Sequence, residues 1–406
     1  MSAKLSLHSS DMNRVKTRLA IVVSHPIQYY VPLYRRMACR DDLEIKVFFT
    51  WHAGQAAVPD HGFRQLVTWD IPLTQGYAYE LVQNSAADPG THHFLGLRNP
   101  SLVEQVVKWR PDAVHITGWA WLSHLLALRA FRLQGVPTLF RGDSHLLDSS
   151  RRGLPWWFKR AALERVFSWP TSFLYVGAAN RAYYEAFGVE PNRLHHCPHS
   201  IDVARFSEPA DALGKEAADW RRELGIKDQQ LVLLFAGKFE RKKRPLELMR
   251  AVQALADSSA MLIMVGAGEL QDKVKALADT DPGRFRVLSF QNQSRMPVVY
   301  RLGDIFVLPS AYGETWGIAV NEAMACGRPA IVSDRVGCAT DVIDASCGRV
   351  FPSTDFSAMI AAVNAVTASR DLLVQMGRAA LNRAWAFDIA RTEVALMDCL
   401  HKSLSP

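Results

Sequence analysis

Long apolar runs are missing from this chain. No stretch approaches the roughly 18 consecutive apolar residues of a membrane-spanning helix, so no such span is expected. The first residues, Met1 to Lys16, are polar and mixed. They lack the apolar core and small-residue cleavage site of a secretory leader and read as a frayed tail. Cysteine is sparse: Cys39, Cys197, Cys326, Cys338, Cys347 and Cys399 are scattered, and no pair has zinc or redox spacing. Free thiols in a reducing cytoplasm are the simple expectation. The first apolar run is followed by Ser24-His25-Pro26 and not by a glycine-rich turn, which argues against a nicotinamide-dependent dehydrogenase. No Asp-any-Asp strand end stands out, so no metal and no bound cofactor are expected.

What the chain does have is core-forming material and positive charge. With 406 residues and 49% apolar content it can build two ordinary domains, and a mostly unfolded polymer is excluded. The net charge of +7 suits nucleic acid, anionic lipid or phosphorylated substrates, and alone it selects none of them.

Short β-prone runs alternate with helical periodicities from end to end. Runs at 18–24, 43–49, 112–117, 138–141 and 173–177 read as buried strands, with helices at 33–37 and 122–133 between them. A second series follows at 231–237, 261–266, 285–290, 305–308, 329–334 and 348–352, with helices at 358–368, 371–386 and 388–402. Strands and helices in strict alternation indicate parallel, doubly wound sheets. Between the series, Pro198 to Phe206 leads into a polar stretch, Ser207 to Gln230, and a linker is placed at about 200–228.

The most informative stretch is Glu314-Thr-Trp-Gly-Ile-Ala-Val-Asn-Glu322. It follows a strand closed by Pro309-Ser310 and opens a helix that Gly327 can end. The first amides of that helix, around Thr315, Trp316, Gly317 and Ile318, carry partial positive charge and can hold a phosphate. Glu322, a turn further on, can accept from a hydroxyl pair such as a ribose, and Glu314 can reach a sugar. The bland alternative is a solvated Glu314 and a Glu322 in a surface ion pair. Upstream, Gly237-Lys238-Phe-Glu-Arg-Lys-Lys243-Arg244 concentrates cations behind a strand, and these can clamp a diphosphate as charge grows on it. The alternative is a solvated basic loop. Gly266-Ala-Gly268 serves a nucleotide or close strand–helix packing equally well.

Taken together, the carboxylate pair spaced by seven residues, the Pro-Ser strand end and Asn321-Glu-Ala-Met-Ala-Cys-Gly327 resemble the donor-site motif of family 4 glycosyltransferases. The likeness is strongest over 231–352 and weaker at 18–37, 112–145 and 173–206. It implies the GT-B fold: two doubly wound Rossmann-like domains facing a central cleft. The expected parts are a tail at 1–16, an acceptor domain at 17–205, a nucleotide-sugar domain at 206–385 and a closing helix at 386–406. It further implies metal-independent hexosyl transfer from a nucleotide-diphosphate sugar, with retention, to a glycan or lipid-linked acceptor in cell-surface polysaccharide or glycolipid synthesis.

Residue by residue, the resemblance puts Lys238 and Lys243 on the diphosphate, where Lys238 stands for the family's commoner Arg. Glu322 goes to the ribose, Glu314 to the donor sugar, and Gln291 to the base, with Gly237 behind the clamp. The family's functional His belongs at the carboxyl end of an N-domain strand. Here that end reads Arg141-Gly-Asp143-Ser-His145, so Asp143 or His145 takes the role. His25, Trp51 and His52, on loops after the first two strands, are the acceptor-side candidates.

The segment Arg151 to Trp169 interleaves Trp and Phe with Lys and Arg. It is either an interfacial helix at the inner membrane face or a helix with inward aromatics and a solvated basic face. Two other functions compete with transfer. A nucleotide-sugar epimerase of the same fold would turn over without an acceptor. A nonenzymatic polyanion-binding protein would use the basic surface, although no nucleic-acid motif accompanies it.

Overall fold

Buried β-prone runs set the frame of the molecule. The computed structural model describes residues 16–51, 58–60, 62–148, 154–228, 230–255 and 257–405. In chain order the strands are β1 (Thr17–Val23), β2 (Leu43–Phe49), β3 (Val58–Asp60), β4 (Gln65–Val67), β5 (Ala78–Leu81), β6 (Ala113–Thr117), β7 (Thr138–Arg141), β8 (Ser172–Tyr175) and β9 (Leu194–His196). They continue with β10 (Val232–Ala236), β11 (Met261–Val265), β12 (Phe285–Leu288), β13 (Ile305–Leu308), β14 (Ala330–Ser333) and β15 (Gly348–Phe351). One sheet runs β5-β2-β1-β6-β7-β8-β9 and a second runs β12-β11-β10-β13-β14-β15. Both are parallel, as the alternation of strand and helix predicts. Helices cover both faces of such sheets, so central strands are apolar throughout. β10 and β11 are buried at every position.

Each sheet grows outward in both directions from its first strand. The order therefore reverses between β1 and β6 in the first lobe and between β10 and β13 in the second. At such a point the connections leave for opposite faces and open a crevice outside the carboxyl ends. Residues 237–244 after β10 and 309–317 after β13 border one crevice. Residues 24–30 after β1 and 118–121 after β6 border the other.

The expected linker needs correction. Two helices, Val203–Ser207 and Ala210–Glu223, occupy most of 200–228. The second helix reads as polar because its apolar residues form one narrow stripe: Leu213, Ala217, Trp220 and Leu224 recur on a single helical face and pack on the core of the second lobe. Arg221 fixes it further, donating to Asp304 Oδ1 at 3.1 Å. β5, β9 and the helix Leu102–Lys108 are likewise too short or too mixed to stand out in the sequence.

The last helix, Ile389–Leu404, packs on the first lobe. Leu396, Met397, Cys399 and Leu400 share a core with Leu19, Ile21, Met37, Leu43, Leu139 and Leu174. Its buried Glu393 takes Arg36 and Arg40 as partners. The chain thus crosses between lobes near Ile201 and returns near Asp388, and the two crossings are stitched together. Ile201 N donates to Phe387 O and Ile389 N to Ile201 O, both at 3.1 Å. All six cysteines are unpaired. No single described helix is long and apolar enough to cross a membrane.

Leu400 is fully enclosed in this seam. Leu400→Ala should cost about 2–5 kcal/mol, as deletion of a buried leucine does. A lowered urea midpoint would show it, and an unchanged midpoint would contradict the docking of the last helix.

Candidate active site

The crevice between β10 and β13 gathers most of the residues singled out from sequence. β13 ends at Pro309-Ser310, and the chain turns through Gly317 into the helix Ile318–Ala325. Gly317 adopts φ +98°, a left-handed conformation that side chains resist. A Cβ there would also stand 2.9 Å from Val336 Cγ1. The turn is strapped from behind, because Gly337 N and Cys338 N donate to the carbonyls of Glu314 and Trp316, each at 3.0 Å. The carbonyls are thereby occupied. Val320 N donates back to Gly317 O at 2.8 Å, while the amides of Ile318 and Ala319 have no acceptor within their own helix.

Across the crevice, the loop after β10 forms a 3-10 turn, Arg241–Lys243. Lys243 makes a short ion pair with Glu314, and both side chains are largely buried. Ser310 Oγ donates to the same Glu314 oxygen at 3.1 Å. The two loops are also joined by backbone, Ala311 N to Lys242 O at 2.7 Å. The neighbouring cations diverge. Lys242 pairs with Glu240 at 3.1 Å. Arg244 turns away to the Ser353 carbonyl and the Phe356 ring. Lys238 Nζ lies 5.0 Å from the centre of the Phe63 ring, so it faces the loop between β3 and β4 of the first lobe. A solvated basic loop is therefore the wrong picture for Lys243.

Glu322 is 8% exposed, which excludes the surface ion pair. The Tyr300 hydroxyl donates to its Oε2 at 2.6 Å. Burial pushes its carboxyl up to about 7, against smaller opposite pulls from Tyr300 and Arg205. Trp316 is buried too. Its indole donates to Asn321 Oδ1 at 3.0 Å and its ring meets His199 and Phe387, so only its backbone can serve an anion.

The first lobe closes directly on this turn. Thr315 Oγ1 donates to Asp143 Oδ2 at 2.8 Å, and Gly313 N donates to Asp148 Oδ2 at 2.7 Å. His145 Nε2 donates to the Glu314 carbonyl at 3.2 Å, while its Nδ1 accepts from Leu147 N at 3.3 Å. That pattern fits a neutral ring with the proton on Nε2. Asp143 and His145 are thus both brought to the Glu314–Thr315 turn.

His199 was not singled out as a site residue. Its Nε2 is 4.0 Å from Asp143 Oδ2, its ring is ringed by Tyr29, Tyr30 and Trp316, and burial holds it well below the usual imidazole range. Among the described residues its Nδ1 has no partner. Nothing in Pro198-His199-Ser200 distinguishes it locally, since its neighbours come from distant loops.

The other candidates are spread around the rim. His25 packs edge-on against Trp51 at 5.4 Å, with Ser24 Oγ at 3.0 Å from its Nδ1, and burial lowers its pKa to about 4. These two are adjacent as neighbouring strand ends require. His52 lies outside the described residues. Gln291 bonds to its own loop, Nε2 to Ser289 O at 3.2 Å. Beside it, Asn292 donates to Thr68 O at 2.6 Å and Ser294 N to Asp70 Oδ1 at 3.1 Å, which ties this loop to the first lobe. Gly237 is held by Val265 O at 3.0 Å, and a Cβ on Gly266 would stand 2.0 Å from Gly237 O. The Gly266-Ala-Gly268 turn is therefore a close-packing device.

A cavity of about 290 Å³ opens at the cleft edge between Gly62, Glu240 and Lys242. Larger hollows of about 510 and 800 Å³ lie near Arg221, Asp228 and Arg286, away from the carboxyl ends of the strands. They lack the convergent loops described above.

The aromatic–basic segment forms the helix Leu154–Phe167, and Arg151 to Gly153 lie outside the described residues. It combines both expectations. Trp156 packs inward on Phe187 at 5.1 Å, whereas Trp157 and Phe158 are 62% and 74% exposed.

Comparison with known proteins gives consistent matches. A family model described as glycosyl transferases group 1 matches residues 216–383. One described as glycosyl transferase 4-like domain matches residues 78–198. D-inositol 3-phosphate glycosyltransferase 2 of Catenulispora acidiphila is 27% identical over 99% of this chain and 95% of its own. Other curated D-inositol 3-phosphate glycosyltransferases match over about half of this chain and about half of their own length. A solved glycosyltransferase of Rickettsia africae has a TM-score of 0.73 at 13% identity, covering 96% of this chain and 99% of that one. Anabaena HepE in complex with UDP-glucose gives 0.68 at 15% identity, covering 95% and 99%. At such identities the two solved structures speak for the fold alone.

The raised carboxyl of Glu322 has a testable sign. Between its ordinary value of 4.5 and about 7, the folded chain keeps a proton that the unfolded chain has released. Stability therefore falls as pH rises through that window. Glu322→Gln removes the penalty and should gain on the order of 1–3 kcal/mol over the parent at pH 8 relative to pH 4.5, in urea unfolding. An equal difference at both pH values would contradict the buried carboxyl.

Proposed function

The chain belongs to the glycosyltransferases of the family 4 type, with the GT-B fold, and from that premise we propose that it moves a sugar from a nucleotide-diphosphate sugar, with retention, to a glycan or lipid-linked acceptor. The observation that carries this reading is the convergence of Lys243, Glu314 and a helix start at the β10/β13 crevice, with Asp143 and His145 facing them. Cell-surface polysaccharide or glycolipid synthesis is the setting the family suggests. HepE, solved with UDP-glucose, makes a UDP-hexose the first donor to try.

In this reading the diphosphate lies over the amides at the start of Ile318–Ala325, beside Lys243. Lys238 approaches from the same loop. Glu322 offers its second oxygen to the ribose, Gln291 and its loop border the base, and Glu314 orients the sugar. The bond from the anomeric carbon to the phosphate oxygen breaks and a bond to the acceptor oxygen forms on the same face. The acceptor's proton leaves with the nucleoside diphosphate. Negative charge grows on the leaving phosphate, where an ammonium and fixed amides gain most from it. Two ammonium groups supply the charge that a divalent ion otherwise supplies, so transfer itself calls for no metal. Asp143 and His145 sit by the reacting sugar, and His25 and Trp51 line the acceptor side.

The outward Trp157 and Phe158, beside Lys159 and Arg160, favour peripheral contact with an anionic membrane face. Trp157→Ser with Phe158→Ser should reduce sedimentation with anionic vesicles. Equal sedimentation of parent and variant would remove that contact.

The transfer reading is tested with a thermal-shift panel of nucleotide sugars, followed by labelled-sugar transfer with the donor that stabilises the chain. Lys243→Ala and Glu322→Ala should each lower binding or turnover by an order of magnitude or more, since a charge-assisted bond is worth roughly 1.5–3 kcal/mol. Parent-like kinetics in folded variants would withdraw both assignments. Sugar turnover without any acceptor would favour an epimerase.

A further inference from the structure

Among the described residues, one cluster of side chains with metal-ligand chemistry lies outside this crevice. Asp88 has His92 four residues on, with His93 next to that histidine. All three sit in the connection between β5 and the helix Leu102–Lys108. His92 Nε2 is 3.0 Å from Asp88 Oδ2, and His93 Nε2 is 3.3 Å from the same oxygen. The three ligand atoms all lie within 4.8 Å of one another.

From this geometry we propose that Asp88, His92 and His93 form a binding site for a divalent transition cation of the zinc, cobalt or nickel class. The donor set makes the choice. Two imidazoles and one carboxylate suit borderline cations, whereas magnesium and calcium prefer all-oxygen surroundings. The spacing agrees. Bonds of about 2.0–2.2 Å, at angles between octahedral and tetrahedral, put neighbouring donors roughly 2.9–3.5 Å apart. The separations of 3.0 and 3.3 Å fall in that range.

The loop holds its ligands in place before any cation arrives. Gly90 N donates to Gly96 O at 3.0 Å, and a Cβ on Gly96 would stand 2.2 Å from Gly90 O. A Cβ on Gly90 would stand 2.6 Å from His92 Nδ1, so the ring has room only over a glycine. Asn84 Nδ2 donates to Gly96 O at 2.8 Å and Trp121 Nε1 to Thr91 O at 3.2 Å, which anchors the loop to the edge of the sheet. The side chains are 72%, 46% and 37% exposed for Asp88, His92 and His93, so a cation enters from solvent. Without it, each Nε2 acts as a donor to Asp88. A cation takes the place of those protons, so binding releases them. The site shares no residue with the Lys243–Glu314 crevice and stands independently of the transfer reading.

The test is titration of the full chain with cobalt(II), followed by visible absorption, and with zinc by calorimetry. One site per chain is expected at pH 7.5. Its affinity should fall by about tenfold or more in His92→Ala, in His93→Ala and in Asp88→Asn. Zinc should raise the thermal midpoint of the parent and leave that of the double histidine variant unmoved. These residues are on the surface, so the variants keep the fold, and far-UV circular dichroism checks that. Equal affinity in parent and double variant, or no saturable binding by the parent, would overturn the site.

Discussion

A partly buried ion pair at a strand-order reversal is the constraint on which this molecule turns. Lys243 and Glu314 come from loops after adjacent strands, and each is withdrawn from water by the other's loop. Removing either charge leaves the other stranded, which is costlier than the pair is stabilising. The pair therefore fixes the two loops at one spacing. That spacing sets the distance between an ammonium and the free amides at the start of Ile318–Ala325. In the proposed reading a diphosphate enters between them and shares Lys243 with Glu314. The carboxylate keeps the ammonium in position until an anion of higher charge density arrives.

The contacts between the lobes have a different character. They include the edge-on packing of Phe63 and Trp69 on Phe290, Lys238 over the Phe63 ring and the Trp316–His199 contact, but most are hydrogen bonds, among them Thr315 to Asp143, Gly313 to Asp148, His145 to Glu314, Ser294 to Asp70, Asn292 to Thr68 and Ala178 to Asp341. Bonds of this kind exchange with water at a net cost of about 1 kcal/mol each. A few of them can set an alignment without locking it. The apolar seam of the last helix, by contrast, is continuous with the core of the first lobe. Separation of the lobes is thus easier at the crevice than at the crossing near Ile201 and Asp388, where backbone bonds join both passes of the chain. A hinge at the crossing and a polar mouth opposite it follow from those two kinds of contact.

The fold was legible because parallel strands buried on both faces announce themselves as apolar runs. β2 and the helix Leu122–Leu133 have the bounds expected from sequence. The failures share a cause. The helix Ala210–Glu223 buries a single stripe, and β5 and β9 sit at the two edges of their sheet, half-exposed, so composition carried little signal. In the crevice, Glu314 and Lys243 were legible because each stands just beyond a recognisable strand. Ser310, Tyr300 and Asp148, which bond to Glu314, Glu322 and Gly313, were not, because hydrogen-bond partners are chosen by tertiary distance and leave no periodic mark. His199 is the clearest instance: its environment is made by Tyr29, Tyr30, Asp143 and Trp316, from three separate loops.

Glu322 links the crevice to proton activity. Its carboxyl titrates near 7 because burial outweighs the single hydroxyl of Tyr300. A ligand that donates hydrogen bonds to the remaining oxygen favours the ionised form and must lower that value. Binding of such a ligand then releases a fraction of a proton near neutral pH, and by linkage its affinity rises with pH until the carboxyl is fully ionised. A ligand that accepts from the protonated acid has the opposite dependence. The direction of the proton flow therefore distinguishes a diol that donates to Glu322, as a ribose does, from any acceptor group seated in the same place.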